Sequence, residues 1–286
     1  MDLNDLKAFV VVAREGNISR AAERLSFVQS NITNKIKKLE NHFDTKLFHR
    51  HQKGVTLTST GKQLLDYSES ILQLFNQAEK AIKYSTVPSG VISLGSMETT
   101  AAIRLPKILA QYSANFPQVE ILLETGPSEL LLNKIKNYEI EGAFVAEGCL
   151  DAELEGELFV EEELRLVTSG KLAISNLERL NLLVFKKGCS YRKTLEEWLK
   201  FEGITPGRTM EFGSLEAILG CIKAGLGASL LPISVIERLD MFNTLNIVTI
   251  PEKYSKIKTL FVCRKNVVYS KALQEFINLM KEKNLE

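Results

Sequence analysis

Five side chains crowd one short stretch of the sequence, VQSNITNKIKKLE: Gln29, Ser30, Asn31, Thr33 and Asn34. All carry a carboxamide or a hydroxyl. Gln and Asn can hydrogen-bond N6 and N7 of adenine bidentately, and Ser and Thr adapt to several bases. Cations surround them. Between Arg20 and Lys53 stand eight basic residues against three acidic ones, a local +5 in a chain of net charge +1. Such an excess favours a polyanion partner; on charge alone, a solvated helix face is the alternative. Lys35, Lys37, Lys38 and Arg50 are the candidates for neutralising phosphates.

The elements that would present these groups can be read from periodicity. Leu6, Phe9, Val10 and Ala13 form one apolar stripe over a helix from about Leu3 to Glu15, which Gly16 stops. Ser19 is the expected cap of a second helix, with Ala22 and Leu25 on its core side. After a break at Ser26-Phe27, a third helix sets Ile32, Ile36 and Leu39 on its inner face. Two helices joined by so short a turn form a helix-turn-helix. The small pair Ala21-Ala22 suits their close crossing, and the N-terminal residues of the later helix would face base edges in a major groove. LFHRHQKGVTLTSTG then reads as two short strands around a tip, a wing that offers His51, Gln52 and Lys53 to the minor groove or the backbone.

From Gly61 to Lys83 one long helical pattern follows. Leu64, Ile71 and Ala78 recur every seven residues, and Ser68, Phe75 and Ile82 do so with an offset of four. That is a heptad seam suited to pairing with a second copy, the alternative being an amphipathic helix lying on its own domain. STVPSG (Ser85 to Gly90) is a linker. Beyond Val91, strands alternate with helices of ten to fifteen residues, which implies a mostly parallel α/β architecture, long for one sheet but suited to two small lobes.

The stretches LKAFVVVAREGNISRAAERL, VQSNITNKIKKLE, LFHR and VTLTSTGKQLL resemble the N-terminal signature of LysR-type transcriptional regulators. GCSYRKTLE and EAILGCIKAGLGASLLP extend the likeness more loosely, so that it covers essentially the whole chain. The resemblance implies an α plus α/β chain: a winged helix-turn-helix domain over 1–60 (helix-turn-helix about 18–37), a linker and dimerisation helix with hinge over 61–90, and an effector-binding domain over 91–286. That last domain would have two α/β lobes like periplasmic binding proteins, lobe I at about 91–161 and 265–286 and lobe II at about 162–264. It further implies dimers of dimers on an interrupted palindromic operator in double-stranded DNA, with RNA polymerase as a further partner. Two departures keep the operator sequence from being carried over. Val28 and Ser30 stand where many members have Ser and Pro, and Asn34 stands where many have Arg.

In this family the small-molecule site lies between the lobes, at strand ends and helix starts. Free N–H groups there favour anions. GSMETT offers Ser96, Thr99 and Thr100. GCSYR offers Ser190 and Arg192, whose guanidinium suits a carboxylate. FGSLE offers Gly213 and Ser214, and Thr125 and Phe144 would complete the pocket. The expected effector is therefore a small anion, such as a carboxylate. Taken singly, Ser96, Ser190 and Ser214 read as helix caps; it is their convergence that suggests a site. Cys189, beside Lys186, Lys187 and Arg192, would be either a passive thiol or a redox sensor.

Other functions find little support. All three histidines (His42, His49, His51) lie in the N-terminal region, away from any cleft, and no nucleophile-base pair, metal cluster or phosphate loop stands out. No enzyme, cofactor or metal is expected. Cys149, Cys189, Cys221 and Cys263 are far apart and suggest neither zinc nor a disulfide framework. The N-terminus does not read as a signal peptide and no apolar run approaches a membrane span, so a cytoplasmic location is expected and a solute-binding protein is not.

Overall fold

The computed structural model describes residues 1–82, 87–148, 150–169, 181–238 and 244–283; Cys149 and part of the Ser85–Gly90 linker lie outside them. The chain divides into two compact units, with the break after the long helix.

In the N-terminal unit, α1 (Leu3–Glu15) begins with a reciprocal capping box. The Asp5 N–H donates to Asp2 at 3.0 Å, and the Asp2 N–H donates to Asp5 at 2.9 Å. Gly16 ends α1 in the left-handed conformation, as its position suggests. The next helix, α2 (Ile18–Arg24), is capped by Asn17, which accepts the N–H groups of Ser19 and Arg20. Ser19, the expected cap, instead donates its hydroxyl to Gln29 at 3.2 Å. Ala21 and Ala22 are buried, and four residues separate α2 from α3 (Gln29–His42). Ile32, Ile36 and Leu39 of α3 join Leu6, Phe9 and Val12 in one core.

The wing is β1 (Phe48–His51) paired with β2 (Gly54–Leu57) in antiparallel register, Arg50 opposite Val55. It is docked through its backbone: the Val55 N–H donates to the Gly16 carbonyl at 2.9 Å. Gly54, at φ 141°, passes so near that an added Cβ would lie 2.2 Å from that same oxygen. Only glycine fits there.

The long helix is α4 (Ser59–Ile82). Leu64, Leu65 and Leu72 pack on the unit's core and Ser68 is fully buried, whereas Tyr67, Ile71, Leu74 and Phe75 face outward. The expected heptad seam is thereby split. Leu64 and Ser68 belong to the domain's own packing. Ile71, Phe75 and Ala78 lie on the exposed side, and the Ile82 side chain is outside the described residues.

The C-terminal unit is built on one continuous path of strands, β4-β3-β5-β11-β6-β9-β7-β8, with β10 (Asn246–Val248) beside β6. In the first lobe, β3 (Gly90–Ser96) lies parallel to β4 (Val119–Thr125) and β5 (Gly142–Ala146). In the second, β7 (Asn181–Phe185) lies parallel to β8 (Arg208–Phe212) and β9 (Ala228–Pro232). The seam between them is antiparallel, unlike the mostly parallel sheet expected. The long strand β6 (Leu154–Thr168) pairs with β11 (Lys256–Arg264) up to Glu163 and with β9 from Leu164 onward. Because β11 also pairs with β5, it falls in the first lobe's sheet and not in the expected second-lobe span of 162–264.

Helices α5 (Glu98–Ile103), α6 (Leu105–Asn115), α7 (Ser128–Lys136) and α12 (Lys271–Lys283) belong to the first lobe, and α8 (Ser190–Phe201), α9 (Leu215–Lys223) and α10 (Ile233–Arg238) to the second. Each lobe has its own core, around Phe144 and Phe276 in the first and around Trp198 in the second. A short α11 (Glu252–Ser255) leads into β11. The lobes are tied where β6 crosses. Glu162 accepts from Arg104 of the first lobe at 2.6 and 3.1 Å, and from the Ser234 hydroxyl of the second.

Candidate nucleic-acid interface and effector cleft

The outer face of α3 carries the groups that could read bases. Gln29, Ser30, Asn31 and Asn34 are exposed, while Thr33 is half-buried and donates its hydroxyl to the Gln29 carbonyl at 2.9 Å. The helix starts at Val28 with no side-chain cap, and Val28 itself is exposed. Val28, noted above only as a departure from the family pattern, has methyl groups that suit contact with a thymine methyl.

Two of the expected phosphate-binding cations are already engaged. Lys35 lies 3.3 Å from Asp5, and Lys38 lies 2.8 Å from Asp5 and 3.1 Å from Asp2. Asp5 is 1% exposed, so these contacts pin the start of α1 to α3. Lys37, Arg50 and Lys53 are exposed and make no ion pair among the described residues, as is true of His51. Lys37, Arg50 and Lys53, not Lys35 and Lys38, are thus the expected DNA-binding cations left without an ion-pair partner among the described residues. Arg50→Ala should therefore lower the slope of log affinity against log salt by about one on random duplex DNA, and Lys38→Ala by less. A salt series followed by fluorescence anisotropy measures both; an unchanged slope for Arg50→Ala would remove Arg50 from the backbone contacts.

The aspartates respond to acid. A hydrogen bond from Lys38, helped by the Asp5 N–H, holds the Asp2 carboxyl at about 2 against an ordinary 3.8. Burial opposes ionisation of Asp5, yet the bonds from Lys38, the Asp2 N–H and Lys35 outweigh it and keep its pKa below the ordinary value. Both pKa values are depressed, so the stabilisation is present above pH 3.8 and is lost as the pH falls through the folded values, about 2 for Asp2. Lys38→Met should be less stable than wild type at neutral pH, and the gap should close on acidification towards about pH 2. Denaturant unfolding by circular dichroism measures it; a gap independent of pH would contradict the assignment.

In the C-terminal unit a cavity of about 470 Å³ opens where β3, β4, β7 and β8 end. Ligands of open α/β sheets bind beyond the carboxyl ends of strands. Of the residues expected there, Thr99, Thr125 and Gly213 line it. So do Glu98, at the start of α5, Glu129 and Asn133 of α7, Lys186 and Lys187 in the turn after β7, and Tyr191 of α8, none of them among the effector-binding residues expected from the sequence. The Thr99 and Tyr191 hydroxyls meet at 2.7 Å, joining the lobes at the base of the cleft.

The other expected residues go elsewhere. Ser96 is buried and donates to the Met97 carbonyl, and Thr100 is buried with no hydrogen-bond partner for its hydroxyl among the described residues. Phe144 is a core residue in edge-on and tilted ring contacts with Phe159, Phe261 and Phe276. Ser214 caps α9 through the Ala217 N–H. Ser190 and Arg192 line an adjoining cavity. Arg192 is held by Glu196 at 2.7 Å and Glu211 at 2.6 Å, so the expected anion-binding guanidinium is spent inside the protein. Burial pushes the Cys189 thiol pKa up despite the neighbouring N–H groups of Arg192 and Tyr191, which fits a passive thiol rather than a thiolate sensor. Among the described residues no cluster of His, Cys, Asp and Glu suits a metal ion, and no helix is long and apolar enough to cross a membrane.

A winged helix-turn-helix, a long helix and a two-lobed α/β unit with a cleft at its strand ends define a DNA-binding regulator with a small-molecule domain. Comparison with known proteins agrees. The bacterial regulatory helix-turn-helix family of lysR type matches residues 3–62, and the LysR substrate-binding domain matches residues 85–284. The chain is 44% identical over 286 residues to the HTH-type transcriptional regulator GltR of Bacillus subtilis, covering 99% of this chain and 97% of that one. It is 40% identical to the regulator SoxR of an Arthrobacter strain over 98% of this chain and 97% of that protein. Among solved structures, the LysR-family regulator CbnR, also solved in complex with its target DNA, shares the fold at a TM-score of 0.71 and 22% identity over 99% of both chains. The chain belongs to the LysR family of bacterial transcriptional regulators. Its relatives are regulators, not enzymes.

Proposed function

We propose that this regulator reads an interrupted palindromic operator through α3 and the wing, as a dimer of dimers in the cytoplasm, and that a small effector with an anionic group, bound in the cleft, sets its activity. RNA polymerase is a further partner in this reading. The observation that carries it is the pairing of an exposed amide- and hydroxyl-bearing helix face in one unit with a metabolite-sized cleft in the other. Lys186 and Lys187, not Arg192, are the anion-binding cations of the reading. A ligand shifts the regulator only by its difference in affinity for the two states.

A thermal-shift screen of small carboxylates and inorganic anions tests the cleft, with Gly213→Phe as the blocked control. A Cβ at Gly213 meets only the Lys186 side chain, at 3.8 Å, an ordinary contact, so the substitution can start from this backbone without a clash at the Cβ. Ligands that stabilise wild type should lose their effect on Gly213→Phe, while DNA affinity without ligand stays unchanged. Stabilisation that survives in Gly213→Phe would place the effector elsewhere.

A further inference from the structure

We infer that the cleft takes a free amino acid or a closely similar zwitterion, a ligand with a cationic nitrogen as well as a carboxylate; this rests on the effector-cleft reading above. The charges are sorted by lobe. The first lobe contributes Glu98, at the start of α5, and Glu129, in the first turn of α7. The second contributes Lys186 and Lys187, in the turn between β7 and α8. All four line the same cavity, and none of the four side chains has a hydrogen-bond or ion-pair partner among the described residues. Arg192, the other nearby cation, is neutralised by Glu196 and Glu211.

A purely anionic ligand drawn to the two lysines would be repelled by the two carboxylates, and a purely cationic one would meet the converse. Within one small cavity these opposing interactions are of similar size and largely cancel. A ligand that points its nitrogen at the first lobe and its carboxylate at the second gains from both sets, and in doing so bridges the lobes. Met97, Phe185 and Phe212 line the same cavity and offer apolar surface for the ligand's body. The competing account is that Glu98 and Glu129 pair with Lys186 and Lys187 across the cleft, with no ligand between them.

Calorimetry on the full-length protein separates these accounts. The probes are the standard L-amino acids, each beside the carboxylic acid lacking its amino group and the amine lacking its carboxylate. At least one amino acid should bind about tenfold or more tightly than both of its truncated counterparts. Glu98→Gln should erase that preference over the carboxylic acid, Lys187→Met the preference over the amine, and Gly213→Phe all binding. A carboxylic acid that binds wild type as tightly as its amino acid overturns the zwitterion while leaving the cleft as the effector site. Amino-acid binding that survives in Gly213→Phe overturns the cleft reading itself. Failure of every amino acid to bind wild type overturns the inference in favour of cross-cleft pairing.

Discussion

Phe75→Lys and Ile71→Glu should each convert the protein to monomers in dilute solution and abolish operator binding. Both residues sit on the outer face of α4, Phe75 at 44% and Ile71 at 43% exposure, next to Leu74 and the more exposed Tyr67. Helical spacing joins Tyr67, Ile71, Leu74 and Ala78 into one stripe. A long apolar stripe on a helix whose opposite side already packs on its own domain is what pairing with a second copy requires. A charge placed there leaves the protomer's own core untouched, because both residues are exposed and lie outside that core. In a dimer it would be buried without a partner, which costs several kcal/mol. One half-site then gives too little affinity. Light scattering reads the result, and a stable dimer in both variants would move the interface to the effector domains.

Gln29→Ala should cost about 1–3 kcal/mol at the cognate operator and little on random DNA. Gln29 begins α3, where the N-terminal residues of a recognition helix meet base edges, and its carboxamide is exposed and held by the Ser19 hydroxyl at 3.2 Å. That contact presets the side chain's direction, so Ser19→Ala should weaken operator binding by a smaller amount. Asn34, one turn and a half further on, should behave like Gln29 at a different base pair. Parallel titrations of operator and scrambled duplex measure the difference. Wild-type affinity of Gln29→Ala for the operator would mean that the helix sits in another register.

The elements whose signal is local were legible in the sequence. Apolar spacing alone located α1, α3 and the wing, and Gly16 ended α1 as a glycine in the left-handed region does. The strand β6 was not legible. Glutamates at 155, 157, 161, 162 and 163 hide its alternation, yet Glu162 points inward to Arg104 and Ser234 while several others face solvent. The face of α4 was half legible, since heptad spacing cannot tell a seam that meets a partner from one that meets the domain's own α1. The binding residues depended on pairing across the chain. Nothing near Lys38 in sequence reveals Asp2 and Asp5, and nothing near Arg192 reveals Glu211, because these partners are brought together only by folding. Residues of all three expected strand-end turns line one cavity, but which of their side chains turned inward was a matter of packing.

Two copies of α3 should read specific bases on one operator. A nuclease footprint of the full-length protein on the DNA upstream of its own gene tests this most directly. Two protected patches are expected, with centres one helical turn, or a multiple of it, apart, persisting under excess random competitor DNA and absent with Phe75→Lys. Uniform protection that competitor removes, or no preference for that DNA over a scrambled duplex, would contradict it.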